Sequence, residues 1–261
     1  MGYANKASIL TLATAGALLL GTGAALAADA SAAWSGPYVG VSIGGGFQDN
    51  DWKAKSVGPD NIFGVADSSR QATLDQAGGR FGGYAGWNLP VSPVVIVGLE
   101  ADIAGIVGGK KTLTGMPGVD YQTALSQGAV PADGISARAD WDASLRARVG
   151  YLLDPALLVY GTTGVAFLDS EYKANCPATG MSSWCASPES GSISKTSVGW
   201  TVGAGAEGRV ADNWSVRVEY RYAGFSGTTL NFFSGYDAYS AKTDPSSHIV
   251  TFGLTYHFGN I

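Results

Sequence analysis

The sequence predicts an all-β fold: eight antiparallel strands closed into a transmembrane β-barrel, with short turns at one end and long loops at the other. Three observations carry this. Apolar and polar residues alternate with a period of two in successive stretches. The connections between those stretches are short and long by turns. The N-terminus reads as an export signal, and no later stretch has the roughly 18 consecutive apolar residues of a membrane helix.

Composition frames the reading. Charged residues make up 14% of the 261-residue chain, against roughly 25% in an average soluble domain. Gly numbers 38, about double the usual share. Aromatic residues are plentiful, so the chain is not low-complexity. The net charge is −5 and runs of Lys and Arg are absent, which argues against nucleic acid as a partner. In the opening MGYANKASILTLATAGALLLGTGAALAADA, Lys6 gives a positive start and Ile9 to Leu20 an apolar core. Ala25-Leu26-Ala27 then gives a small-residue cleavage site. Residues 1–27 are expected to be a signal peptide and 28–261 a single barrel domain.

The first strand, 37–47 (PYVGVSIGGGF), and the fifth, 157–168 (LLVYGTTGVAFL), carry small residues on both faces. The second, 80–89, puts Phe81, Gly83, Ala85, Trp87 and Leu89 on one face. The third, 94–103, sets Val95, Val97, Leu99, Ala101 and Ile103 against Glu100 and Asp102. The fourth, 139–151, sets Trp141, Ala143, Leu145, Ala147, Val149 and Tyr151 against Asp140, Asp142, Ser144, Arg146 and Arg148. The sixth, 196–210, sets Val198, Trp200, Val202, Ala204, Ala206 and Val210 against Ser197, Thr201, Glu207 and Arg209. The seventh, 213–222, sets Trp214, Val216, Val218, Tyr220 and Tyr222 against Ser215, Arg217, Glu219 and Arg221. The eighth, 248–258, sets Val250, Phe252, Leu254, Tyr256 and Phe258 against Thr251, Gly253, Thr255 and His257.

Short turns fall at 89–93 (LPVSP), 152–156 (LLDPA) and 211–214 (ADNW). Long polar loops fall at about 50–78, 108–136, 170–195 and 224–246. Long loops at every second connection are the pattern of an outer-membrane barrel, whose short turns are periplasmic.

That topology assigns the faces. An Arg facing lipid near the midplane costs roughly 2–4 kcal/mol. Glu100, Asp102, Asp140, Asp142, Arg146, Arg148, Glu207, Arg209, Arg217, Glu219 and Arg221 are therefore expected in the lumen. An eight-stranded barrel is just wide enough for side chains to fill it, so these charges are expected to pair in one network that plugs the lumen. Which pairs form depends on strand stagger. Trp87, Tyr151, Trp214, Tyr256 and Phe258 fall near the short-turn end, and Trp141, Trp200 and Tyr222 near the other. They are expected to form two interfacial belts.

Cys176 and Cys185 flank PATGMSSW in the third long loop. On an oxidising export route two cysteines closing a short loop read as a disulfide. Two motifs mislead. GVSIG (40–44) matches a nucleophile elbow, but it lies inside a strand with no helix after it. GAGAEG (203–208) matches a dinucleotide fingerprint without a βαβ unit. Both read as glycines that let barrel strands bend and pack closely. Among polar residues, His248 lies near Ser246, Ser247 and Asp244 at the outer rim, which raises a lipid-modifying rim enzyme as a minor alternative. No cofactor or metal site is expected, and the chain is read as a non-enzyme.

WSGPYVGVSIGGGF (34–47), YGTTGVAF (160–167), NWSVRVEYRYAGFS (213–226) and HIVTFGLTYHF (248–258) resemble the first, fifth, seventh and closing strands of small outer-membrane barrel proteins of Gram-negative bacteria. That group is the porin-family or opacity-type surface antigens. The resemblance implies outer-membrane location, insertion by the barrel-assembly machinery, a role in envelope integrity and exposed antigenic loops. Where family chains end on the aromatic of the last strand, here Gly259, Asn260 and Ile261 follow Phe258. The expected partners are outer-membrane lipids, the assembly machinery, and an extracellular ligand or host surface met by the loops. The alternative function is a narrow pore for small solutes.

Overall fold

The computed structural model describes residues 31–58, 70–180 and 183–259. The expected signal peptide lies outside the described residues, as do Asn260 and Ile261. The strands are β1 (Gly36–Val57), β2 (Gln71–Thr73), β3 (Gln76–Pro90), β4 (Val95–Gly108), β5 (Lys111–Thr114), β6 (Gly134–Asp154), β7 (Leu157–Cys176), β8 (Glu189–Ala211), β9 (Trp214–Phe225), β10 (Thr228–Phe232) and β11 (Tyr239–His257). Eight of them, all but β2, β5 and β10, form an antiparallel ring in which each pairs with the next. The pairing of β11 with β1, from Tyr38↔His257 to Val57↔Tyr239, closes it. Closure leaves no sheet edge within the membrane, where an unpaired backbone group has no water to bond.

The alternation sorts as expected at membrane height. Val41, Ile43, Leu99, Val216, Val218, Phe252 and Leu254 are exposed on the outside, while Glu100, Arg146, Glu207 and Arg217 are buried inside. The three short turns join β3 to β4, β6 to β7 and β8 to β9. Inward glycines make room for inward rings. A Cβ at Gly40 would lie 2.3 Å from the Tyr84 ring, and one at Gly205 2.6 Å from the Tyr160 ring. Any side chain there would evict a tyrosine from the lumen.

The long loops differ from the expectation. They are not irregular: β1, β6, β7, β8 and β11 run on past the membrane, and β2, β5 and β10 add to them. Above the barrel the ring splits into two four-stranded sheets. One is β2-β1-β11-β10; the other is β5-β6-β7-β8. Their inner faces share one apolar core. Trp52, Ala54, Leu230, Phe232, Tyr239 and Ala241 come from the first sheet, and Ile135, Ala137, Tyr172 and Ala174 from the second. The Trp52 ring lies 6.1 Å from that of Tyr172 and 6.3 Å from that of Phe232. This extracellular sandwich follows the ordinary soluble rule, apolar in and polar out.

Candidate functional site

Two features stand out: the charged lumen and the sandwich above it. The lumen is built in three levels. At the top, Arg80 grips Asp142 with two hydrogen bonds of 2.8 and 2.7 Å and reaches Asp102 at 2.6 Å. Arg221 bonds the same two carboxylates, Asp102 at 2.9 and 3.0 Å and Asp142 at 2.7 Å. The Ser144 hydroxyl also donates to Asp102. In the middle, Glu100 accepts from Arg146 and Arg217, each at 2.5 Å, and from the Tyr38 hydroxyl at 2.9 Å. Arg146 extends its other amine to Glu219 at 2.6 Å, and Tyr160 donates to the same carboxylate at 3.1 Å. At the bottom, Arg148 and Ser215 both donate to Glu207 at 2.5 Å. His257 Nε2 lies 3.1 Å from Glu207 and 3.0 Å from Ser215.

Strand register explains which groups meet. On β4 and β6, Glu100 pairs with Arg146 and Asp102 with Ser144, so acid and donor stand side by side. On β8 and β9, Glu207 pairs with Arg217, yet Arg217 turns across the lumen to Glu100. There its guanidinium stacks 3.4 Å from the centre of the Tyr84 ring. Arg148 stacks likewise at 3.8 Å from Tyr160. Five guanidinium groups thus face five carboxylates, all buried. Every cation is Arg, whose planar fork bonds a carboxylate and stacks on a ring at once.

Two expected members lie elsewhere. Asp140 is not in the lumen. A β-bulge against β7 between Ala139 and Trp141 inserts one residue, so the inward positions change from odd to even along β6. Asp140 falls at the break and pairs on the outside with Arg138 at 2.8 Å. Arg209 has inward parity but does not join the carboxylates. Lying at the short-turn end, it donates to the Ala33 carbonyl at 2.5 Å and sits 5.5 Å from the Trp34 ring. Conversely, Arg80 and the ring-bearing Tyr38, Tyr84 and Tyr160 are lumen residues absent from the sequence reading. Arg80 had a signal: its parity is opposite to that of Phe81.

The outward aromatics gather at the two ends. Near the short turns, Tyr256 contacts Trp214 at 5.1 Å and Phe258 at 5.2 Å, with Trp87 on β3 and Tyr151 on β6 exposed farther round the ring. Near the sandwich, Trp200 packs on Tyr222 at 5.3 Å, and Trp141 lies beside Gly105. His248 belongs to this belt. Its Nδ1 lies 2.8 Å from the Tyr220 hydroxyl and its ring 4.9 Å from that of Tyr222. Ser247 is buried on the opposite face of β11, so His248 and Ser247 do not converge.

In the sandwich, Cys176 and Cys185 are joined as a disulfide. Beside it, buried Asp133 ties two loops. It accepts from the Tyr121 hydroxyl at 2.6 Å and from the Trp184 backbone at 3.1 Å. Burial, then the bond to Asp133, pushes the Tyr121 hydroxyl well above the ordinary tyrosine range. Trp52 donates to the Tyr239 hydroxyl at 3.0 Å, which donates to the Pro117 carbonyl at 2.9 Å. Asp237 accepts from the Ala186 backbone at 3.2 Å. The loops are thereby fastened to one another. Nothing in the sequence marked Asp133, because a lone loop Asp has no period to betray it.

An eight-stranded ring with an apolar outer band, aromatic belts and a charged lumen defines an outer-membrane β-barrel protein. Residues 15–258 match the family described as outer membrane protein beta-barrel domain, and the chain belongs to it. The 31 kDa outer-membrane immunogenic protein of Brucella melitensis is 30% identical over 233 residues, covering 86% of this chain and 84% of that one. The 22 kDa outer membrane protein of Rhizobium leguminosarum bv. viciae is 35% identical over 130 residues, covering 48% of this chain and 54% of that one. Among solved structures, the outer membrane protein OprG from Pseudomonas aeruginosa aligns with a TM-score of 0.43 at 10% identity, covering 85% of this chain and 97% of that one. The outer membrane protease OmpT from Escherichia coli aligns with a TM-score of 0.44 at 13% identity, with the same coverages. The protein is located in the outer membrane.

Proposed function

We propose that this barrel is a closed membrane anchor for a surface-interaction module, not a transport channel or an enzyme. The lumen network carries the reading. Five Arg and five carboxylates from β3, β4, β6, β8 and β9 bond across the bore, with stacked tyrosines between them. Opening a path would have to pull several buried, mutually bonded charges away from their partners. The sandwich, held by its own core and the disulfide, is the part offered to the outside. The names of the Brucella relatives as immunogenic proteins support a surface antigen. Its partners are outer-membrane lipids at the belt, the barrel-assembly machinery during insertion, and an extracellular ligand or host surface at the sandwich. A structural contribution to envelope integrity follows from the same anchoring.

Planar-bilayer recording tests the closed lumen: the unmodified protein is expected to conduct poorly or not at all. Large, steady unitary currents would promote the narrow-pore reading instead. A binding screen comparing the whole protein with variants trimmed in the 177–188 and 115–131 segments locates the contact surface.

A further inference from the structure

We propose that Ser31–Ser35 is a stopper that closes the periplasmic mouth separately from the charge network, with Trp34 as its seat. This rests on the closed-lumen reading and adds a second barrier in series with it. The segment folds back as a turn, with Trp34 N donating to the Ser31 carbonyl at 3.2 Å and Ser35 N to the Ala32 carbonyl at 3.1 Å. Trp34 is fully buried although it precedes the first strand. Its side chain packs with Ile96, Leu152 and Leu158, an apolar cluster quite separate from that of the sandwich.

Four anchors hold it. The indole N–H donates to the Pro155 carbonyl in the β6–β7 turn at 3.1 Å. Buried Asn88, at the end of β3, donates to the Trp34 carbonyl at 3.2 Å. Arg209 on β8 donates to the Ala33 carbonyl and lies over the indole. The ring edge meets His257 on β11 at 5.4 Å, directly under the lowest level of the network. The segment therefore bridges β3, β8, β11 and a turn around the rim, more than a tether to β1 requires. It also explains why Arg209, with inward parity, spends its donors on a backbone carbonyl.

Four refolded proteins are compared by single-channel recording: the parent, Trp34→Ala, Arg217→Ser with Glu219→Ser, and the three changes together. Two barriers in series predict a combined conductance above the sum of the separate gains. If the triple variant conducts no more than the lumen double variant, the stopper is no barrier and the inference falls, while the network reading stands. If Trp34→Ala alone opens steady currents, the stopper is upheld and the network reading fails. Where Trp34→Ala does not refold, Arg209→Ala replaces it in the same comparison, since it releases Ala33 and uncovers the indole.

Discussion

At the scale of single residues, the lumen is governed by the cost of an unpartnered buried charge. Glu207 shows it. Its carboxylate holds Arg148 at 2.5 Å, and Arg148's next carboxylate, Glu100, is 3.9 Å away. Glu207→Ala should destabilise the folded barrel by about 3–5 kcal/mol. Adding Arg148→Met should recover part of that loss, because the stranded cation goes too. Urea titration in detergent micelles followed by tryptophan fluorescence measures both; a double variant no better than the single one would refute charge stranding as the cause. Arg217 and Glu219, neighbours on one strand, have different partners, Glu100 and Arg146. Which pairs form was invisible in the sequence, because the stagger that brings β9 opposite β4 is set by closure of the whole ring.

At the scale of the strand, one alternation serves two solvents. On β1 the even positions face inward as far as Ala54, after which a bulge against β11 turns Val57 into the core. At membrane height Ser42 is inside and Val41 and Ile43 outside; higher up Trp52 and Ala54 are inside and Asp51 and Lys53 outside. The period is kept while the chemistry inverts, because lipid gives way to water. β7 does the same, with Val165 and Phe167 outside low on the strand and Glu171 and Lys173 outside above. This gives a paired test. Val218→Arg, facing lipid, should cost roughly 2–4 kcal/mol, whereas Ser190→Arg, outward on the sandwich, should stay within about 0.5 kcal/mol. Equal losses in the same titration would mean that β8 does not cross from lipid to water between Trp200 and Ser190. The sequence suggests Ser215→Arg as a mild change, since Ser215 faces the lumen; the structure argues otherwise. Ser215 is fully buried against Glu207 and His257, so an Arg there should be damaging.

At the scale of the molecule, two cores are stacked along one axis, one polar and inside the membrane, one apolar and outside it. They should respond separately. Replacing both Cys176 and Cys185 by Ser removes a loop closure worth about 2–3 kcal/mol in the chain-entropy model. Protease cleavage in 177–188 should accelerate while the urea midpoint of the barrel stays unchanged; a matching fall in that midpoint would show that the cores are coupled. Alkali should act on the same region. Tyr121 and Tyr239 are both raised by burial. A raised native value favours the neutral form, so their contribution is whole below about pH 10, the unfolded value. It is lost as pH climbs toward the native values. The near-ultraviolet dichroism of the sandwich should therefore weaken above about pH 10, and Tyr121→Phe should flatten that dependence.

The sequence by itself determined the ring. Strand number, the short turns, the lipid face and the belts are all local: each follows from which side of a two-residue period carries the apolar groups. Strands such as 213–222 can be read that way without any neighbour. What only the tertiary structure decided is non-local. The bulge that puts Asp140 on the outer face of β6 is a property of its pairing with β7. Trp34 finds its place by packing against turns far along the chain, and Arg209 follows it there. The sandwich was read as polar loops because Gly, Ser and Asp crowd the outward positions, while its inner face is supplied by single residues from several strands. No one segment carries enough apolar residues to announce a core; only pairing two sheets face to face assembles one.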